Sequence, residues 1–168
     1  MEEYSFLNHV NAHLGEFITK YRFSLYQSSS QIFSGFENNL LSFVSPHCQL
    51  RVFVEHYRVY VDISALGVND PNLWYNLEAM ACFTSGTQPR EWIYNLPRRV
   101  PLSQVMEQQL TRWQSILENH FDKIVQLFLS DVELIDMRRT LDEFVQSYYE
   151  DHRKVLFPKS SLAQSKNA

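Results

Sequence analysis

Hydrophobic positions along the chain form helix-like stripes at both ends and one strand-like stretch between them. From Glu2 to about Arg22, Phe6, Val10, Leu14, Phe17 and Tyr21 recur every three or four residues, with Leu7 and Ile18 beside them. That spacing predicts a helix with one buried face. Ser28-Ser29-Ser30 interrupts the pattern. Ser30 is placed to cap a second helix carrying Ile32, Phe33, Phe36, Leu40 and Phe43, which Pro46 closes. From Ser103 to Leu129 the stripe Met106, Leu110, Trp113, Leu117, Phe121, Ile124 and Phe128 predicts a long helix. Ser130-Asp131-Val132-Glu133 has the form of a capping box for a last helix, with Leu134, Met137, Leu141, Phe144 or Val145, Tyr148 and His152 on its inner face. These two are expected to pair antiparallel. One long kinked helix is the alternative, because neither Gly nor Pro stands at the junction.

Between these stripes the period changes to two. Leu50, Val52 and Val54 alternate with Arg51, Phe53 and Glu55, and the alternation then slips phase so that Tyr57, Val59, Val61 and Ile63 are apolar. A hairpin turning at His56 and Tyr57 explains the slip. It sets Leu50, Val52 and Val54 opposite Ile63, Val61 and Val59 on one face. On the other it sets Arg51 opposite Asp62, Phe53 opposite Tyr60 and Glu55 opposite Arg58, each pair adding about 0.2–1 kcal/mol. An isolated hairpin is marginal, and Arg22–Gln27 and Glu91–Leu96 are candidate further strands. Asn76 can cap a short helix over Leu77–Phe83 that stops at Gly86.

The fold class expected is therefore α+β: a small antiparallel sheet around the hairpin, packed against N-terminal helices and a C-terminal antiparallel helix pair. Length and composition suit a single domain over residues 1–157, with 158–168 as a polar, disordered tail. Cys48 and Cys82 stand far apart and outside any Cys-x-x-Cys pair, so reduced core thiols are expected. The N-terminus starts acidic with no apolar run after it, and no stretch reaches the roughly 20 apolar residues of a membrane span. A cytoplasmic address, without membrane attachment, is expected. A net charge of −4 argues against phosphate-backbone binding and suits a basic protein partner.

Candidate chemistry is sparse. With four glycines in all, the glycine-rich loops that wrap phosphates are absent. His9 and His13 lie one turn apart near Glu2 and Glu16, yet no further ligand can be identified, and no metal or cofactor is expected. Cys48 beside His47 does not form a catalytic pair, because adjacent strand residues point to opposite faces. His120, between Leu117 and Ile124, is expected at the edge of the helix pair. Large aromatics stand in or beside loops at Trp74, Tyr75, Trp92 and Tyr94; they are expected to cover the edge of the sheet and cap the core, or, as the residue types that dominate interface hot spots, to meet a partner. With the acidic cluster Asp131, Glu133 and Asp136, they are the candidate partner-binding residues. The cluster also suits the first turn of a helix on electrostatic grounds alone.

The hairpin, the short helix from Tyr75-Asn76-Leu77-Glu78 to near Phe83, the Pro-punctuated link, and the long helix from Leu110-Thr111-Arg112-Trp113 to Phe121-Asp122 together resemble bacterial immunity-type proteins of polymorphic and contact-dependent toxin systems. The resemblance covers about Gln49 to Phe128 as a pattern of residue types and carries over no binding residue. It implies an inhibitory role toward a toxin partner. A non-enzymatic protein-binding module is accordingly the leading expectation. A small hydrolase or transferase with a fold-assembled His/carboxylate site is a second reading. It predicts a concave pocket where His47, His56 or His120 meets an acid. A structural subunit of a homodimer, buried across Trp74 or Trp92, is the third.

Overall fold

The computed structural model describes residues 6–33, 36–55, 58–87, 102–129 and 134–156. Its first helix, α1, runs Phe6–Lys20 and buries Phe6, Val10, Leu14 and Phe17, the expected stripe. The helix ends in a Schellman motif: the Phe23 N–H donates to Ile18 O (2.9 Å) and the Arg22 N–H to Thr19 O (3.1 Å), while Arg22 takes the left-handed conformation at φ 55°. That motif satisfies two terminal carbonyls and turns the chain into the sheet.

The sheet is a five-stranded antiparallel meander of β1 (Ser24–Phe33), β2 (Phe36–Val44), β3 (Cys48–Glu55), β4 (Arg58–Ala65) and the two-residue β5 (Tyr75–Asn76), in that spatial order. The β3–β4 register is the one expected, with Leu50 opposite Ile63, Arg51 opposite Asp62, Phe53 opposite Tyr60 and Glu55 opposite Arg58. The second helix expected from Ser30 does not form; that stretch is the β1–β2 hairpin. Phe36, Leu40 and Phe43 match helical steps, but burial selects Leu41 and Phe43, two apart, as the inward positions of β2. The sequence marks only Arg22–Gln27 as a candidate further strand, whereas β1 runs Ser24–Phe33.

Asn76 links sheet to helix. Its Oδ1 accepts from the Glu78 N–H (3.0 Å) and, more weakly, the Ala79 N–H (3.4 Å), capping α2 (Leu77–Ser85), which ends at left-handed Gly86. The long helices α3 (Leu102–Leu129) and α4 (Leu134–Leu156) are separate elements, and α2 contacts both. The candidate strand Glu91–Leu96, the capping box Ser130–Glu133 and the tail 158–168 lie outside the described residues.

Cross-strand partners share a face, so the register divides the sheet in two. One face carries Leu41, Phe43, Leu50, Val52, Val61 and Ile63, all buried in the core with α1, α2 and α3. Phe121 of α3 sits among Phe17, Tyr21 and Phe23 at centroid distances of 4.9, 4.3 and 5.8 Å. Across the opposite face a polar row crosses all five strands: Gln27, Ser42, Arg51, Asp62 and Asn76. Beside it run Leu40 and the stacked rings of Phe53 and Tyr60, 5.2 Å apart.

Because β5 pairs only with Asp62 and Ile63, the outer edge of β4 is otherwise without a strand neighbour among the described residues. Helix α3 closes it with side chains. The Val59 N–H donates to Gln109 Oε1, and the Trp113 indole N–H donates to Val59 O, both at 2.9 Å. Both groups are buried, so neither main-chain atom has water as a substitute. Gln109→Leu keeps the volume but strands the Val59 N–H. It is expected to lower stability by about 1–3 kcal/mol, read from urea denaturation midpoints.

Candidate binding site

Where α2, α3 and α4 meet the uncovered end of β4, they enclose a cleft of about 300 Å³. Its floor is Glu78, in the first turn of α2 and only 7% exposed. The Arg112 guanidinium of α3 forms an ion pair with Glu78 Oε1, and the Tyr148 hydroxyl of α4 donates to Oε2 at 3.0 Å. Three helices thus share one carboxylate. Burial lowers Arg112 from its ordinary value, opposed by Tyr148, and an arginine remains charged throughout. Burial also drives the Tyr148 hydroxyl well above the usual phenol range, with Cys82 adding to it and Arg112 opposing. Tyr148 therefore stays a neutral donor.

The wall from the sheet is Phe53 and Glu55 of β3 with Arg58, Tyr60 and Asp62 of β4. Arg58 stands opposite Glu55 in the ladder and hydrogen-bonds Tyr60. Asp62 is different. Its cross-strand partner Arg51 lies with its guanidinium 3.7 Å from the centre of the Trp74 ring, held by a cation–π contact. Among the described residues Asp62 makes neither an ion pair nor a hydrogen bond. Burial pushes its carboxyl up to about 6, and the charge of Arg51 only partly opposes this. Tyr149 of α4, its ring about half exposed at the rim, is pushed up to about 12 by burial first and then by Asp62 and Tyr60.

A second, shallower trough of about 490 Å³ extends from the cleft along the polar face, past Phe53, Glu55, Asp62 and Arg51 to Gln27 and Ser29 of β1. At its end, β1 overhangs the helical layer. Ser24, Gln27, Ser28 and Ser30 are exposed, and Leu25 and Tyr26 stand 41% and 49% exposed. The strand has no partner on its outer side among the described strands.

The residues singled out by composition are placed unevenly. Trp74 is half-buried against Arg51, and Tyr75 is buried with its hydroxyl donating to Asp142 at 3.1 Å. Both therefore serve internal packing, and neither offers an open contact surface. Trp92, Tyr94, Asp131 and Glu133 lie outside the described residues, as does the side chain of Asp136. His47 is exposed in the β2–β3 turn, His56 is outside the described residues, and His120 lies on α3, lowered by burial first and by Lys123. No histidine is among the described residues lining the cleft. Cys48 and Cys82 are buried free thiols, and burial pushes Cys48 up to about 11 against a hydrogen bond from Ser45. No group of metal-ligating residues occurs among the described residues, and no helix there is long and apolar enough to cross a membrane.

The sequence pattern sets Arg51 opposite Asp62 but does not mark Glu78 or Arg112 as site residues, although each stands in the segments that carry the resemblance. No protein-family model matches the chain, and neither does any curated protein or solved structure.

Two outcomes follow from this geometry. In the fold Asp62 holds its proton in a range where the unfolded chain, with an ordinary carboxyl near 3.8, has released it. Stability from this group therefore falls as pH rises from about 4 to about 6 and stays lower above that. The charged groups facing Asp62 are Arg51, Glu55, Arg58, Glu78 and Arg112. Asp62→Asn is thus expected to be more stable than wild type by about 1–3 kcal/mol at neutral pH and equal to it near pH 4, measured by urea denaturation across that range. Arg112→Met leaves Glu78 as an uncompensated buried charge. A loss of about 3–5 kcal/mol is expected, most of it recovered when Glu78→Gln is added.

Proposed function

We propose that this chain is a non-enzymatic protein-binding module that takes its partner as an added strand on β1. An immunity-type inhibitor of a basic toxin is its specific form. The observation that carries the reading is the outer edge of β1, which has no neighbour among the described strands. A strand paired on one side only turns about half of its N–H and C=O groups outward, a template for another chain. Proteins ordinarily blunt such edges with charge, proline or a bulge. The β1 sequence, Ser24-Leu25-Tyr26-Gln27-Ser28-Ser29-Ser30-Gln31-Ile32-Phe33, holds neither charge nor proline. Its one register irregularity lies between Leu25 and Gln27, near the start, so the edge beyond it stays in regular register with β2. Strand addition draws affinity from the main chain and specificity from alternate side chains, and here one set of those side chains borders the polar trough.

The hydrolase reading finds less support at the cleft, where Glu78 is tied to Arg112 and Tyr148 and the described lining includes no histidine. The edge-strand reading is tested with Ser28→Lys combined with Ser30→Lys, two exposed positions where added charge opposes edge pairing. The variant is expected to keep the wild-type circular dichroism and to lose a partner that the wild type captures. In the wild-type complex, hydrogen exchange is expected to slow at the amides from Leu25 to Ser30. A partner held equally by both proteins, with protection elsewhere, sinks the reading. A dimer in light scattering that the same variant dissociates identifies the added strand as a second copy of this chain.

A further inference from the structure

The cleft at the other end of the sheet carries an uncompensated charge. Its described lining contributes three carboxylates, Glu55, Asp62 and Glu78, and two guanidiniums, Arg58 and Arg112. Arg112 is committed to Glu78, and Arg58 lies across the ladder from Glu55 and bonds to Tyr60. Asp62 is left over. The nearest further cation, Arg51, is drawn aside onto the Trp74 ring, and its Nε is itself buried without a hydrogen bond. A carboxylate partly withdrawn from water without a partner is unfavourable. Positions that break such a local rule are where function is expected.

The surroundings of Asp62 define what would complete it. The phenol oxygen of Tyr149 neighbours both the Asp62 carboxyl and the Tyr60 hydroxyl, and both hydroxyls stay neutral because burial raises them. A carboxylate and two phenol oxygens lining one cleft match a primary ammonium, which has three rotatable N–H donors and a compact charge. The walls beyond, the stacked Phe53–Tyr60 pair and the Tyr149 ring, offer apolar surface to an alkyl stem and ring faces to a cation. A volume of about 300 Å³ lies at the small end of ligand sites, enough for one unbranched aliphatic chain.

We propose that this cleft is a receptor for a single primary ammonium group on an alkyl stem, with Asp62 as the counter-charge and Tyr60 and Tyr149 as additional acceptors. Such a group is carried by a lysine side chain or by a free aliphatic amine. The site is separate from the β1 edge and does not depend on strand addition. Binding favours the ionised carboxylate, so near pH 6 the ligand displaces a proton from Asp62 to the buffer.

The full chain is titrated with n-butylamine, N-acetyl-lysine-N-methylamide, N-acetyl-arginine-N-methylamide and uncharged 1-butanol, followed by amide chemical shifts and by calorimetry in buffers of different ionisation heat. Both ammonium compounds are expected to bind saturably, shifting the amides of Tyr60, Asp62 and Tyr149. The alcohol is expected to bind at least about tenfold more weakly, as a charge-assisted hydrogen bond is lost. Proton release should appear at pH 6 and vanish at pH 8. Asp62→Asn, which the charge argument predicts to fold more stably, should abolish both binding and proton release, and Tyr149→Phe should weaken binding several-fold. Tighter binding of the lysine derivative than of butylamine points to a protein side chain; the reverse points to a free amine. Equal binding of amine and alcohol, equal binding by Asp62→Asn, or preference for the arginine derivative would overturn the assignment, whatever becomes of β1.

Discussion

The register of β3 against β4 is the constraint on which the rest of the structure depends. A slip of one residue would exchange the two faces of each strand, sending Val52 and Val54 outward and Arg51 and Glu55 into the core. The register is secured from both sides at once. Aliphatic residues interlock on the inner face, and on the outer face a ring pair is flanked by two opposite-charge positions. From it follow the polar row across the five strands, the place of Asp62 beside the cleft, and the outward N–H and C=O of Val59 that α3 must meet.

The helical layer is organised by a second, dependent interaction. Glu78 sits where the Asn76 cap leads β5 into α2, so its carboxylate position is fixed by the sheet. Arg112 and Tyr148 then reach it from α3 and α4. A shared buried carboxylate is poor evidence of stability but a strong determinant of geometry, since few arrangements satisfy every group. Here the same stretch of α3 that supplies Arg112 also supplies Gln109 and Trp113 to Val59. The cleft is accordingly framed by fixed elements, and its one unsatisfied acid stands out against satisfied neighbours.

Much of this fold is legible in the sequence wherever local pattern and tertiary burial agree. The β3–β4 register can be read because every cross-strand pair matches in type, α1 and α3 because their buried stripes keep one period, and α2 because Asn76 caps it and Gly86 ends it. The β1–β2 hairpin is not legible in the same way. β1 overhangs the helices and so shows no alternation, while Phe36, Leu40 and Phe43 mimic a helical stripe. Of the site, the Arg51–Asp62 pairing is legible, but its failure to close into an ion pair is not. That failure depends on Trp74, brought over Arg51 by the loop before β5. Glu78 reads in sequence as an ordinary first-turn acid, and only folding brings residues 34 and 70 positions away to it.

The closure of β4 by α3 also has a temporal side. The β3–β4 hairpin is local and forms within microseconds once made, whereas Gln109 and Trp113 stand 50 and 54 residues beyond Val59. At about 5–20 residues per second of synthesis, roughly 3–10 seconds separate a formed hairpin from the helix that covers it. Throughout that interval the N–H and C=O of Val59 lack the two side chains that meet them in the fold. The arrival of α3 then closes this stretch of β4, and β1 keeps the edge that has no further strand beside it among the described strands.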